Sequence, residues 1–361
     1  MKVLTITLHN SLNCGSSLQA YALQQFIRSL GYDTQIIEYN PKYVANEGHI
    51  VRNFLKRIFM GRQYKSKRRS FQMFKERYLV CTDRWYSSLS ELETDCPQAD
   101  VYITGSDQIW NTGYPCGRDP AFYLSFVRNK PKIAYAASLG ERHEKNENME
   151  LKGWYKNKLN VFSYISVRER ASKIFLTDAG LQNIDFVCDP VLLVERQDWL
   201  KFCTSNPYGD YIVVYLVEKS KLLNQYVMYL KRLYGCKVIL IGSFLNKCHN
   251  DIQIYNDAPI DFVNLIYHAK FIITSSFHAT VFSHIFSKEF AVIMPKSNAE
   301  RIEDFLSLTN MKDRIVQSDT DFSIATRRPD YTKAHQLLDK LILHSKDMIK
   351  SELAKHCRGK E

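Results

Sequence analysis

The sequence predicts an α/β protein of two consecutive domains, each a parallel sheet flanked by helices. Three observations predict this. Short apolar runs of strand length alternate with stretches of helical periodicity from residue 3 onward. The alternation restarts after residue 194. A chain of 361 residues is also long for a single hydrophobic core. The expected division is a first domain over 1–195, a second over 208–330, and a C-terminal helix within 331–361.

Composition bounds the function. With 45% hydrophobic and 24% charged residues the chain reads as folded, not disordered. The net charge of +11 suits nucleic acid, an anionic membrane surface or anionic substrates. No zinc-finger spacing or nucleic-acid signature accompanies it, so nucleic acid is the weakest of the three. The nine cysteines are scattered singly, with no CxxC pair. That pattern reads as reduced thiols in a cytosolic enzyme, not as a disulfide framework or a zinc site. The opening run MKVLTITLHNSLN is too short for a signal peptide, and no apolar span of membrane length follows. The expected location is cytoplasmic, at most peripheral to a membrane.

The elements follow in order. Residues 3–8 read as the first strand, and HNSLNCGSS as a polar turn. Residues 18–30 then read as an amphipathic helix ending near Gly31, and 34–39 as the second strand. Asn10, Asn13, Gly15 and Ser16 lie in the turn after the first strand, where parallel sheets bind ligands. The turn is not GxGxxG, so it does not mark a dinucleotide site; a plain βα turn is the alternative. Residues 51–78 are strongly basic, with Phe54, Leu55, Ile58 and Phe59 among or ahead of Lys56, Arg57, Lys67, Arg68 and Arg69. Such a helical insert suits anionic lipid, or else is a helix pair with a solvated charged face.

Residues 101–107 form a buried strand ending in GSDQIWN, which puts Gly105, Ser106, Asp107, Gln108 and Asn111 in one polar turn. Asp107 is a candidate hydrogen-bond acceptor for sugar hydroxyls or a base, with simple turn capping as the alternative. Strands are expected at 132–136, 164–167 and 186–188, the middle one leading into Arg168-Glu169-Arg170. Two arginines beyond a strand suit an anion; an ion pair within the chain is the ordinary explanation. The second series reads as strands at 212–217, 238–242, 252–255, 271–274 and 291–294, with helices at 222–234, 260–268 and 299–308.

The most informative stretch is 271–286, FIITSSFHATVFSHIF. An apolar strand breaks at Thr274-Ser275-Ser276, where a hydroxyl suits a helix N-cap. Helical spacing follows at Phe277, Val281, Phe282, Ile285 and Phe286. His278 therefore falls in the first turn of a helix, where free N–H groups and the dipole favour an anion. It is a candidate acid/base; a histidine that packs the turn is the alternative. Two Rossmann-like domains in sequence are the architecture of GT-B transferases, with a site expected in the cleft between facing domains.

Six stretches, in order, carry a family pattern: NCGSSLQAYALQ (13–24), TGSDQIWN (104–111), PKIAYAASLG (131–140), ISVRER (165–170), CDPVLL (188–193) and TSSFHATVFSHIF (274–286). Through them the chain resembles the polysaccharide pyruvyl transferases over most of its length. The resemblance implies a GT-B-like fold and transfer of a pyruvyl group from phosphoenolpyruvate to a sugar. The acceptor would be a cell-surface polysaccharide or its lipid-linked oligosaccharide precursor, the product a ketal, and no metal or other cofactor would be needed.

By the same resemblance, His278 is the acid/base. Ser275 and Ser276 hold phosphate or carboxylate, and Arg168, Arg170, Lys296 and Arg301 are further anion contacts. Asn13, Gly15, Asp107 and Gln108 face the acceptor. Better-described members resemble a pattern with Arg two residues before the histidine and Gly after it, where Ser276 and Ala279 stand here, while many family-like sequences carry a Ser-Phe-His version. The departure keeps two other readings in view: a nucleotide-sugar glycosyltransferase, using Glu300 or Glu303 against the nucleotide, and a glycan-binding relative without turnover.

Overall fold

A computed structural model describes residues 1–45, 50–140, 149–217, 223–242, 248–255, 257–318 and 322–357, and of 44, 45 and 50–60 the backbone alone. Two compact units result. Unit 1 comprises 1–60, 73–194 and 341–361, and unit 2 comprises 61–72 and 195–340.

Unit 1 is built on seven parallel strands: β1 Lys2–Ile6, β2 Asp33–Tyr39, β3 Cys81–Tyr86, β4 Val101–Thr104, β5 Lys132–Ala137, β6 Tyr164–Val167 and β7 Ile184–Phe186. Their order is β3-β2-β1-β4-β5-β6-β7. The register is set by pairs such as Thr5 with Ile36 and Thr5 with Ile103. Leu4, Ile6, Ile37, Tyr102, Ala134, Ile165 and Val167 fill the core on these strands. Unit 2 has five parallel strands: β8 Tyr211–Tyr215, β9 Lys237–Ile241, β10 Ile252–Ile254, β11 Phe271–Thr274 and β12 Glu289–Val292, in the order β10-β9-β8-β11-β12. Ile212, Val214, Val238, Leu240, Phe271, Ile273 and Ala291 form its core.

Both orders reverse direction once. The chain leaves β1 toward β2 on one side and later returns to place β4 on the other. The carboxyl ends of β1 and β4 therefore flank the switch point of the first sheet, and those of β8 and β11 flank that of the second. Crevices at such points are the ligand sites of open parallel sheets.

Several expectations change. β3 is a strand the sequence conceals. CTDRWY is exposed or half-buried at all but Tyr86, because an edge strand has only one neighbour, β2, and little to bury. Gln24 also pins Val80, just before it, through both its backbone N–H (2.9 Å) and its carbonyl (2.7 Å). The first helix begins at Cys14, not at Leu18, since Asn13 caps it and carries the small residues into the first turn. β7 lies two residues before its expected place, as does β12.

The domain edges differ as well. The C-terminal helix, Tyr331–Lys355, belongs to unit 2 up to residue 340 and to unit 1 beyond it, where Ser345 accepts the Cys188 N–H at 2.9 Å. All nine cysteines are free thiols, and no helix among the described residues is long and apolar enough to cross a membrane.

The basic segment is one helix, Ile50–Tyr78, whose residues 61–72 group with unit 2. Its Phe71 and Phe74 are buried, so they are not available to lipid. Lys67 binds the fully buried Asp257 at 2.9 Å, which removes it from the surface charge that the sequence suggests. Arg62, Lys65, Arg68 and Arg69 remain exposed along one face. The side chains of 54–59 lie outside the described residues.

The helix that carries His278, Phe277–Ile285, is held at its far end by aromatic packing. The His284 ring lies 5.4 Å from Phe305, 5.4 Å from Tyr331 and 4.9 Å from His335. Its two ring nitrogens are buried without a hydrogen-bond partner among the described residues. Burial, and secondarily His335, pushes its pKa from 6.5 down to about 3. The unfolded chain therefore binds a proton that the folded one refuses between those values. Stability should be complete above pH 6.5 and fall as pH drops toward 3, by up to about 1.4 kcal/mol per pH unit from this group. Urea unfolding across that range should show a shallower slope for His284→Phe than for wild type.

Candidate functional site

In unit 1 the turns after β1 and β4 are tied to each other. Asn13 is exposed and uses its side-chain oxygen to cap the helix Cys14–Ser29, accepting from Gly15 N (2.9 Å) and Ser16 N (3.3 Å). Ser16, one residue further on, donates its hydroxyl to Asp107 Oδ2. Asp107 sits at φ +80°, a left-handed conformation rare outside glycine. The turn is pinned to the next strand: Asp107 bridges to Ala137, and Asp107 O accepts from Ser138 N at 3.0 Å.

Beyond it, Asn111 donates to Gln108 Oε1 at 2.8 Å. Gly140 has φ +69°, and a Cβ there would stand 2.1 Å from Asn111 Nδ2. A Cβ on Gly117 would stand 2.0 Å from the Asn111 carbonyl oxygen. Both glycines are therefore required by the close approach of one asparagine.

Arg168 organises this site from beneath. It lies just past β6 and is fully buried. Its Nη1 donates to Asp189 Oδ2 (2.6 Å) and Ser106 Oγ (3.2 Å), its Nε to Glu169 Oε1 (3.2 Å) and its Nη2 to Asp107 Oδ1 (3.3 Å). Burial opposes the charge, but Asp189, Glu169 and Asp107 outweigh it and hold the guanidinium protonated. Gln108 N also donates to Asp107 Oδ1, at 2.9 Å. Both oxygens of Asp107 are thus anchored.

Unit 2 builds its crevice from hydroxyls. Ser276 caps Phe277–Ile285 through a side-chain acceptor for Ala279 N. Thr274 Oγ1 donates to Tyr215 O at 2.7 Å and accepts from Ser276 N at 2.9 Å. Ser275 Oγ accepts from Val217 N at 2.9 Å, which ties the turn after β11 to the turn after β8. Each serine keeps its hydroxyl proton to donate. His278 is buried in the first helical turn, edge-on to Phe277. The Arg301 guanidinium lies 5.6 Å from the centroid of the Phe277 ring. A cation beside a helix N-terminus opposes the dipole unless an anion is shared between them. Lys296 is exposed in the turn after β12. Glu303 is an exposed partner of Lys312 at 3.0 Å.

The sequence-derived residues therefore fall into two groups. Asn13, Gly15, Asp107 and Gln108 share the unit 1 crevice with Arg168, whose donors are committed to internal carboxylates. Arg170 is exposed and stacks at 5.1 Å over Phe186, also in unit 1. Neither arginine lies in the unit that holds Ser275, Ser276, His278, Lys296 and Arg301. Asp189 went unrecognised, although its place in CDPVLL was visible.

A second cluster had no sequence signal. His9, Glu38 and Cys81 bring one ligand atom each within 4.8 Å of one another. The set does not fit a metal ion well. Lys75 Nζ already lies 2.6 Å from Glu38 Oε1, so a second cation would be repelled, and Asn10 Nδ2 faces His9 Nε2 at 3.0 Å, so the imidazole lone pair is taken.

Two Rossmann-like parallel sheets, each with its polar residues at the switch point, define a GT-B-like protein. Solved structures agree. UDP-GlcNAc 2-epimerase from Neisseria meningitidis, bound to UDP-GlcNAc, superposes with a TM-score of 0.56 at 14% identity, covering 98% of this chain and 100% of that one. The epimerase of Methanocaldococcus jannaschii, in complex with UDP-GlcNAc and UDP, gives 0.54 at 13% identity, with the same coverage of 98% and 100%. The glycosyltransferase SnogD from Streptomyces nogalater gives 0.50 at 12%, covering 98% and 99%. At such identities the likeness concerns the fold. The sequence profile described as polysaccharide pyruvyl transferase matches residues 13–297, and the chain belongs to that family. No curated protein sequence matches the chain significantly.

Removing Arg168 leaves three buried carboxylates without their counter-charge. Arg168→Met should lower the unfolding free energy by about 3–5 kcal/mol. Arg168→Lys should recover little, since one ammonium cannot span the three acceptors. Chemical denaturation reads both; a loss below about 1 kcal/mol in Arg168→Met would show that the network does not hold the turns.

Proposed function

We propose that this protein transfers a pyruvyl group from phosphoenolpyruvate to two hydroxyls of a sugar, forming a ketal on a cell-surface polysaccharide or its lipid-linked precursor. The observation that carries the reading is the placement of His278. In a chain of this family it occupies the first turn of a helix, at the switch point of the unit 2 sheet, with Arg301 close by. Unit 2 supplies the donor side. The helix N-terminus, Ser275, Ser276, Arg301 and Lys296 bind the phosphate and carboxylate. Arg301 takes the anion contact that better-described family members place where Ser276 stands here. Unit 1 supplies the acceptor side through Asn13, Gly15, Gln108 and the anchored carboxylate of Asp107.

The chemistry balances without a cofactor. His278 delivers a proton to the methylene carbon of phosphoenolpyruvate, which becomes the methyl group. The positive centre at C2 is captured by one sugar hydroxyl. The C2–O bond to phosphate then breaks, and the second hydroxyl closes the ketal. One hydroxyl proton replaces the one given to carbon, and the other leaves with phosphate. His278→Ala should lower acceptor-dependent phosphate release by about 100- to 10,000-fold. A panel of aryl and lipid-linked glycosides provides the acceptors. Full activity in the variant would remove His278 from the mechanism, and nucleotide binding without phosphoenolpyruvate binding would overturn the donor.

A peripheral contact with anionic lipid is proposed for the basic helix. Phe71 and Phe74 are buried, and Arg62, Lys65, Arg68 and Arg69 would supply the electrostatic part of the contact. Neutralising Lys65, Arg68 and Arg69 together should abolish partitioning onto phosphatidylserine vesicles at low salt. Unchanged partitioning would exclude this face.

A further inference from the structure

We propose that Glu38 and Lys75, braced by Asn10, hold a pair of neighbouring hydroxyls on the acceptor sugar. The inference rests on the sugar-acceptor reading above and names the residues that select the acceptor.

The first argument is position. Glu38 lies at the carboxyl end of β2, beside the switch point between β1 and β4. In dinucleotide-binding sheets of this strand order, an acid at this place binds the two hydroxyls of a ribose. The fold here has that acid without the glycine fingerprint that would bind a pyrophosphate.

The second argument is the pattern of donors. Asn10 Nδ2 donates to Glu38 Oε1 at 2.8 Å, and Lys75 Nζ donates to the same oxygen at 2.6 Å. His9 Nε2 also faces Oε1, at 3.5 Å. Lys75 reaches Asn10 Oδ1 as well, at 3.1 Å. No N–H or O–H donor among the described residues reaches Oε2, and the carboxylate's other contact is a weak one, from the Cys81 thiol. Two of the three ammonium hydrogens of Lys75 are used, which leaves one to give. The side chains of Lys75 and Glu38 keep 20% and 10% of their surface exposed, enough for a ligand to reach both. His9, by contrast, is buried and fixed from behind by the Thr7 carbonyl at 3.1 Å.

An open carboxylate oxygen beside an open ammonium hydrogen matches a diol. One hydroxyl donates to Oε2, and the oxygen of its neighbour accepts from Lys75. Burial works against the carboxylate charge, but the His9, Lys75 and Asn10 contacts outweigh it and hold Glu38 below the ordinary carboxyl range. It is therefore a fixed acceptor at any working pH, not a proton carrier.

The test compares aryl glycosides of galactose, glucose and mannose with deoxy analogues lacking one hydroxyl of a neighbouring pair. Binding is read by saturation-transfer NMR, and phosphoenolpyruvate binding is measured in parallel. Wild type should favour a parent glycoside over its deoxy analogue by about tenfold, the worth of one charge-assisted hydrogen bond. Glu38→Gln should lose most of that discrimination for the hydroxyl it binds, and Lys75→Met for the neighbouring one. Phosphoenolpyruvate binding should stay unchanged in both. Comparing parent with analogue inside one variant cancels any general loss of folding.

Undiminished discrimination in both variants, or none in wild type, overturns the proposal. The two readings fail separately. Discrimination that tracks Glu38 in a protein that ignores phosphoenolpyruvate keeps this site and removes the donor. Pyruvyl transfer with discrimination unmoved in Glu38→Gln and Lys75→Met keeps the donor and removes this site.

Discussion

The buried charge of Arg168 is the constraint from which the unit 1 site follows. One guanidinium meets three carboxylates that arrive on different segments: Asp107 after β4, Glu169 after β6 and Asp189 after β7. Only arginine offers enough donors in a fixed plane to serve them together. Through Asp107 the network reaches Ser16, and so the first turn of the helix after β1. The turns that line the crevice are held by one another, not by the strands alone. Asp107 can keep its left-handed backbone because both oxygens, and its carbonyl through Ser138, are fixed.

Unit 2 solves the same geometric problem with neutral groups. Its crevice is closed by hydroxyl-to-backbone bonds at Thr274, Ser275, Ser276 and Thr280, which satisfy the strand end and the helix start without placing a charge there. The groups beside it include a helix N-terminus and, over the Phe277 ring, the cation of Arg301. The two crevices thus differ in sign. Unit 1 presents anchored carboxylates at Asp107 and Glu38, which suit hydroxyl donors. Unit 2 presents cationic and N–H donors, which suit an anion.

Much of this was legible along the chain. The alternation of strands and helices, the restart after 194 and the strand–serine–helix pattern around His278 are local signals, because burial of a parallel strand and capping of a helix leave marks within a few residues. β3 was not legible: an edge strand with one partner can be polar. The role of Arg168 stayed open between an anion contact and an ion pair within the chain for a related reason. A charged triplet after a strand looks alike whether it faces solvent, a ligand or a buried carboxylate, and only partners distant in sequence, Asp107 and Asp189, distinguish these.

The sequence by itself determined the class of fold, the family and the place of His278, since each is written in contiguous residues with a fixed spacing. The tertiary structure alone decided which charges meet. Lys67 with Asp257, Lys75 with Glu38 and Arg168 with its three carboxylates are separated along the chain by up to 190 residues. Coulombic partners carry no periodicity. An ion pair depends on where two chain segments pass in space and on how much water is excluded between them, and neither quantity is encoded in the residues next door.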